Sequence, residues 1–340
     1  MSIKKIAVLG TGANGAGIGA DLARAGVDVT FIEQWPENVE AIRADGVHVK
    51  TPYDATTTSV RALHLCEVAT LREQFDLVFL LVKAYDTRWA CELIKPYVKS
   101  DGMVVGLQNG MTVDDVLDVF GPARTLGAVI EVCAAMYVPG LVERHTPASE
   151  SWFALGGVTP EAHERAPEVA EILRHAGAVE VVDDIRSAKW MKLAVNAGEL
   201  VPSAIVNLPL LQAAKLPGMH DFMIRAGKEA IRAAIGLGHQ VVPIFGIDAI
   251  DPEDPEGFVD VMLDAVYRKW SGPETRTTVL QDWLKNRHCE VNEVNGLVVS
   301  ANKTLGGTCP VNSRTVEIAH QIERGELEAG PENAVLLVGT

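Results

Sequence analysis

The sequence predicts an α/β protein: a doubly wound parallel sheet over residues 1–184, followed by a mainly α-helical domain over 185–340. Three observations predict this. A glycine-rich loop joins two apolar strand patterns near the N-terminus, strand and helix patterns alternate after it, and strand patterns largely vanish beyond residue 187.

The organising stretch is KIAVLGTGANGAGIGADLARAGVDVTFIE, residues 5–33. Its first apolar run ends abruptly in Gly10, Gly12 and Gly15, which is G-x-G-x-x-G between a strand and a helix. The first glycine permits a tight turn, the second lets backbone approach a pyrophosphate, and the third lets the helix pack close to its strand. The loop, including Ala13 and Asn14, then presents helix N–H groups to phosphate. Gly26 caps the helix, residues 27–32 form the second strand, and Glu33 closes the unit. A carboxylate there accepts hydrogen bonds from ribose hydroxyls and repels a 2′-phosphate, so NAD is favoured over NADP. Gln34 and Trp35 stand where a cation would serve NADP.

Farther along, residues 37–44 read as helix, 47–60 as turns and short strands, and 75–82 and 103–107 as buried strands. Helices are expected over 85–98 and 113–120, strands over 127–142 and 145–157, and a helix over 161–176. In such a sheet ligands lie outside the carboxyl ends of the strands. Lys83 and Asn109 follow two of those ends. Each suits contact with cofactor or substrate oxygens, and each equally suits a solvated lysine or an ordinary Asn-Gly turn.

Composition narrows the function. Thirty Lys and Arg against forty-five Asp and Glu give a net charge of −15, which opposes nucleic acid and anionic membrane as partners. No apolar run is long enough for a membrane span, and the first strand starts too soon for a signal peptide, so a cytoplasmic location is expected. The five scattered cysteines contain no C-x-x-C, so neither a disulfide framework nor a metal site is expected. The acidic residues 248–256 read as a solvated loop.

In the second half, helices are expected over 189–201, 210–237, 255–270 and 296–301. Within WMKLAVNAGEL, Lys192, Asn196 and Glu199 stand at i, i+4 and i+7 and share one stripe. The lysine suits proton exchange with a carbonyl oxygen as hydride arrives at carbon, and a structural Lys192–Glu199 salt bridge fits the spacing equally well. Thr278 and Glu290 lie in a polar stretch with helix-like apolar intervals, and spacing alone does not bring them together.

The ordered set GTGANG, LVKAY, LQNG, KLAVN and TTVLQDWLKNRHCEVNEVNG resembles the ketopantoate reductase family over most of the chain. That resemblance implies an N-terminal Rossmann domain, a helical C-terminal domain and an NAD(P)-dependent 2-oxoacid reductase whose active site lies between them. It places the general acid on Lys192, cleft asparagines on Asn196 and Asn109, a cofactor-side lysine on Lys83, the substrate-orienting carboxylate on Glu290, and the hydroxyl for a substrate carboxylate on Thr278. The chain departs from the family where an Asn-Pro pair is usual after KLAVN: Glu199, Leu200, Val201 and Pro202 stand there. An apolar side chain in place of an amide, with Glu199 beside it, argues against ketopantoate itself. The expected function is thus an NAD-dependent dehydrogenase acting on a small carboxylate or hydroxy ketone, with a homodimer possible. The alternatives are an NADP-dependent 2-dehydropantoate 2-reductase and a catalytically silent NAD-binding regulator.

Overall fold

Strand β1 (Lys5–Leu9) is buried on both faces from Ile6 onward, and the buried part is accordingly all apolar. The structure, a computed structural model, describes residues 3–339 and divides into two units. One comprises Met1–Gln108 and Thr112–Arg186, the other Asn109–Met111 and Ser187–Thr340. Among the described residues, no helix is long and apolar enough to cross a membrane.

In the first unit β1 leads through α1 (Ala13–Arg24) to β2 (Asp28–Glu33), and α2 (Pro36–Asp45) follows. Three short strands come next, β3 (Val47–Lys50), β4 (Ala55–Thr58) and β5 (Arg61–His64), then β6 (Phe75–Leu80). Helix α3 (Thr87–Ile94), strand β7 (Val98–Gly106), helix α4 (Val113–Phe120) and strand β8 (Thr125–Glu131) complete the alternation. The chain then runs through β9 (Ala134–Val138), β10 (Leu141–Arg144), β11 (Trp152–Gly157), α5 (Pro160–His163), α6 (Ala166–Leu173) and β12 (Ala178–Val181).

The main sheet has the order β12-β11-β8-β7-β6-β1-β2-β5, parallel except where β11 runs against β8. Apolar clusters cover both faces. A smaller sheet, β4-β3-β10-β9, packs on α1. The doubly wound parallel sheet expected from the alternation is therefore present, with β11 and β12 at one edge running opposite to the other six strands.

Several boundaries differ from the sequence reading for local reasons. The helix expected over 85–98 shrinks to α3, because Pro96 offers no N–H and β7 has already begun at Val98. The helix expected over 161–176 divides into α5 and α6, with Pro167 in the first turn of the second, where a missing N–H costs nothing. The edge strand β12 went unseen because its Ala-Val-Glu-Val pattern is only partly buried.

The second unit is helical. It is built from α7 (Ile185–Ile205), whose first two residues belong to the first unit, then α8 (Leu210–Ala213), α9 (Met219–Gly236) and α10 (Phe258–Ala265). Helices α11 (Thr278–Leu284), α12 (Leu297–Thr304), α13 (Pro310–Glu323) and α14 (Ala334–Val338) follow. The single helix expected over 210–237 is broken at Gly218, whose φ of +75° is left-handed.

In the first unit one buried ion pair ties the smaller sheet to α1. Arg144, at the end of β10, meets Asp21 of α1 and also donates to the carbonyls of Thr146 and Ala176. Burial pushes the Asp21 carboxyl up and Arg144 opposes this. Arg144→Met should therefore lower unfolding free energy by up to about 3–5 kcal/mol, since it leaves the buried Asp21 carboxylate with only the part-exposed Arg24 beside it. The shift in urea midpoint measures it, and a loss under ~1 kcal/mol would show that the pair does not hold the smaller sheet to α1.

Candidate active site

The glycine loop is shaped by close approach. Gly10 has φ +93°, and a Cβ there would sit 2.6 Å from the backbone nitrogen of Val82. At Gly15 a Cβ would lie 2.0 Å from the carbonyl oxygen of Gly10. Gly12 differs: nothing lies within 4 Å of its Cβ position. Packing thus explains the outer two glycines, while the open space at the middle one fits a phosphate group resting on backbone, with Ala13 and Asn14 opening α1 beside it.

Glu33, at the end of β2, is buried under this loop. One carboxylate oxygen accepts from Thr11 N (2.6 Å) and Oγ1 (3.0 Å), and the other from the backbone N–H of Gln34 (2.8 Å) and Trp35 (3.0 Å). All four lone-pair positions are engaged by protein donors. Glu33 therefore fixes the loop, and a ribose hydroxyl would have to replace one of these donors.

At the neighbouring strand ends, Gln108 donates to the Val82 carbonyl (2.7 Å) and to Thr87 Oγ1 (2.9 Å). This ties the segment carrying Lys83 to the end of β7. Lys83 is half-buried at the start of a short 3-10 turn, and Asn109 is half-buried and belongs to the other unit.

In the second unit the candidate residues gather on α7. Lys192, Asn196 and Glu199 are all buried. Lys192 Nζ lies 3.9 Å from Glu199 Oε1, an ion pair too long for a hydrogen bond. Both polar atoms of the Asn196 amide are sealed from solvent without a hydrogen-bond partner, as is Oγ1 of Thr278. A buried polar group left so costs about 1–3 kcal/mol, and such groups concentrate where a ligand completes them.

Two other segments are pinned to α7. Thr277, just before α11, donates through Oγ1 to the Leu200 carbonyl (3.0 Å), which sets Thr278 beside the second half of the helix. Glu290 is buried and opens the turn to the π-helical segment Asn292–Gly296, where Asn295 Nδ2 donates to the Ala197 carbonyl (2.9 Å) and to Asn312 Oδ1 (2.8 Å). Asn312 is held in turn by the Glu229 carboxylate. Inside α7, Pro202 has no N–H for the Gly198 carbonyl, and Ser203 Oγ donates instead to the Glu199 carbonyl (2.6 Å).

The sequence reading missed the aromatic residues around Lys192. The Phe245 ring lies 5.3 Å from Lys192 Nζ and 5.1 Å from the Trp270 ring. Phe245 and Gly246 have φ of +62° and +67°, and Ile247 N–H returns to the Ile244 carbonyl (3.0 Å), which is a type I′ turn with a bulky residue at its first central position. Such a residue costs of order 1–3 kcal/mol there. Trp270 ends the π-helical segment Val266–Trp270 that continues α10. Burial pushes the phenol of Tyr267, in the same segment, well up, and the Glu199 charge adds to this. The only sequence signal was an aromatic-glycine pair just before the acidic residues 248–256, in a stretch given neither helix nor strand.

A fold with a dinucleotide-type glycine loop in one unit and a buried lysine, amide and carboxylates on one helix of the other defines an oxidoreductase-type architecture. The family described as ketopantoate reductase PanE/ApbA matches residues 6–156, and its C-terminal domain matches residues 184–323. The chain belongs to that family. It is 27% identical to the 2-dehydropantoate 2-reductase of Archaeoglobus fulgidus over 328 residues, covering 96% of this chain and 100% of that one. The PanE/ApbA family ketopantoate reductase from Ralstonia eutropha JMP134 superposes with a TM-score of 0.78 at 26% identity, covering 95% of this chain and 99% of that one. D-mandelate dehydrogenase, solved with NADH and anilino(oxo)acetate, shares the fold with a TM-score of 0.83 at 21% identity, covering 94% and 99% of the two chains.

One further lysine lies on α7. Lys189 is wholly buried, and burial pushes its ammonium down from 10.5 to about 7. Below pH 7 it is protonated folded and unfolded alike, and the full cost of burying charge, roughly 5 kcal/mol, opposes folding. As pH rises from 7 to 10.5 the folded state releases its proton first and the cost disappears. Lys189→Met should therefore gain most relative to wild type at pH 6 and progressively less toward pH 9, read from urea unfolding at each pH. A pH-independent difference would show that Lys189 keeps an ordinary ammonium.

Proposed function

We propose that this chain is an NAD-dependent oxidoreductase that interconverts a 2-oxo acid, or a related hydroxy compound, with its alcohol, using Lys192 as general acid/base. The observation that carries this reading is the buried Lys192 on one face of α7 with the unpartnered amide of Asn196 one turn away. A structural helix gains nothing from such an amide, whereas a substrate oxygen would satisfy it. The curated relatives, 2-dehydropantoate 2-reductases, support the reaction class.

The roles follow from chemistry. Gly10 to Gly15 would hold the pyrophosphate, with Lys83 and Asn109 near the strand ends that carry the rest of the dinucleotide. The cofactor supplies or accepts the hydride when bound. Lys192 as an ammonium polarises the substrate carbonyl and delivers its proton to the oxygen. Asn196 orients that oxygen, Thr278 takes the acid end, and Glu290 and Glu199 keep the amine charged and bind a substrate hydroxyl. A negative Glu33 under the loop, with Gln34 and Trp35 beyond it, disfavours a 2′-phosphate and supports NAD over NADP. Ile235, Leu237 and Leu305 are exposed aliphatic residues around Gly236 and offer a homodimer face.

Mixing the protein with NADH or NADPH and a panel of 2-oxo acids, ketopantoate included, tests the reading by absorbance. Turnover with NADH on acids other than ketopantoate is expected, and NADPH with ketopantoate as the best pair would instead make it a ketopantoate reductase proper. Lys192→Ala should lower kcat by about 10²–10⁴-fold with NADH binding kept. Unchanged turnover in that variant would remove the mechanism.

In the first unit, Gly15→Ala should abolish nucleotide binding, because its methyl would strike the Gly10 carbonyl. Fluorescence titration with NADH measures this, and wild-type affinity in a folded Gly15→Ala protein would show that the loop does not hold the dinucleotide.

A further inference from the structure

We infer that Phe245 is a specificity-determining residue that gives the substrate side chain an aromatic face, so that the preferred substrates are 2-oxo acids carrying an aryl substituent. The inference rests on the reaction assigned above and deepens it.

Two observations converge on Phe245, a ring contact and a strained turn. Its ring stands over the Lys192 ammonium at 5.3 Å and is backed by Trp270 at 5.1 Å, with the planes inclined at 51°. It sits at the first central position of a type I′ turn, where φ of +62° suits Gly, Asn or Asp and strains an aromatic residue. It is followed by Gly246, which already provides the positive φ that the second position needs. If the turn served only to reverse the chain, a small residue at 245 would do so with less strain. The side chain kept there is the one that reaches the amine, and strain of this kind collects at functional sites.

The chemistry of the surroundings selects the occupant. Around Lys192 and Glu199 stand Phe245, Trp270 and Tyr267, and the place of the family's amide after KLAVN is taken by Leu200 and Val201. Phe245 and Trp270 are both buried and offer a substrate side chain an apolar surface. An aryl ring can pack edge-to-face or offset against Phe245 while its carbonyl oxygen meets the amine. The same ring face favours the cation, so the wall helps to keep Lys192 charged beside an apolar group.

The test compares phenylglyoxylate and phenylpyruvate with pyruvate and ketopantoate as substrates of the full chain and of its Phe245→Ala and Phe245→Tyr variants. Binding of mandelate and of lactate in the presence of NAD is measured by calorimetry for each. Wild type should favour the aryl acids at least tenfold in kcat/KM and bind mandelate at least tenfold more tightly than lactate. Phe245→Ala should erase both ratios, and Phe245→Tyr should keep them. A wild type that prefers pyruvate or ketopantoate, or a Phe245→Ala variant that loses all substrates by one common factor, would overturn the inference. If no 2-oxo acid is reduced with either nucleotide, the assigned reaction fails, and the mandelate-to-lactate binding ratio still decides the aromatic wall: a ratio near one sinks it.

Discussion

The second unit depends on one costly arrangement: cationic and anionic side chains held out of water on a single helix. Lys189, Lys192 and Glu199 are all buried on α7, and removing a charged group from water is expensive unless a partner compensates. The Lys192–Glu199 contact, at 3.9 Å, is a Coulomb interaction without a hydrogen bond. Packing of the rest of the unit holds the helix in place. The network from Glu229 through Asn312 and Asn295 to the Ala197 carbonyl shows how, with nearly every donor in it aimed at a named acceptor. The helix is pinned at Ala197 and Leu200, immediately beyond Asn196.

The first unit solves a different problem in a complementary way. Its glycine loop is rigid because Glu33 holds Thr11 by two hydrogen bonds and because Gly10 and Gly15 touch other backbone. Only Gly12 is left open. Order is invested in the backbone that would face a phosphate, so little conformational entropy remains to be lost on binding.

Much of this was legible in the sequence, and the limits have physical causes. G-x-G-x-x-G reveals itself because three separate steric demands fall on fixed positions, and the sheet reveals itself because doubly buried strands must be continuously apolar. The stripe of Lys192, Asn196 and Glu199 follows from helical spacing alone. By contrast, the Glu33 lone pairs are taken up by Thr11, Gln34 and Trp35, which no pattern announces, because the residue that suits a ribose also suits a loop anchor. Proline and glycine broke the helices read over 161–176 and 210–237 where periodicity ran on. Phe245 was invisible because its importance lies in a backbone angle and a long-range contact, neither of which has a local signature.

The strain at Phe245 and the unmet amide of Asn196 belong to one argument. Each lowers the stability of the free protein, by roughly 1–3 kcal/mol on general grounds, and each stands on or against α7 near the same ammonium. The Glu229–Asn312 cluster, by contrast, is densely bonded. Near Lys192 a ligand that accepts from the amide and packs on the ring would satisfy the former and use the latter.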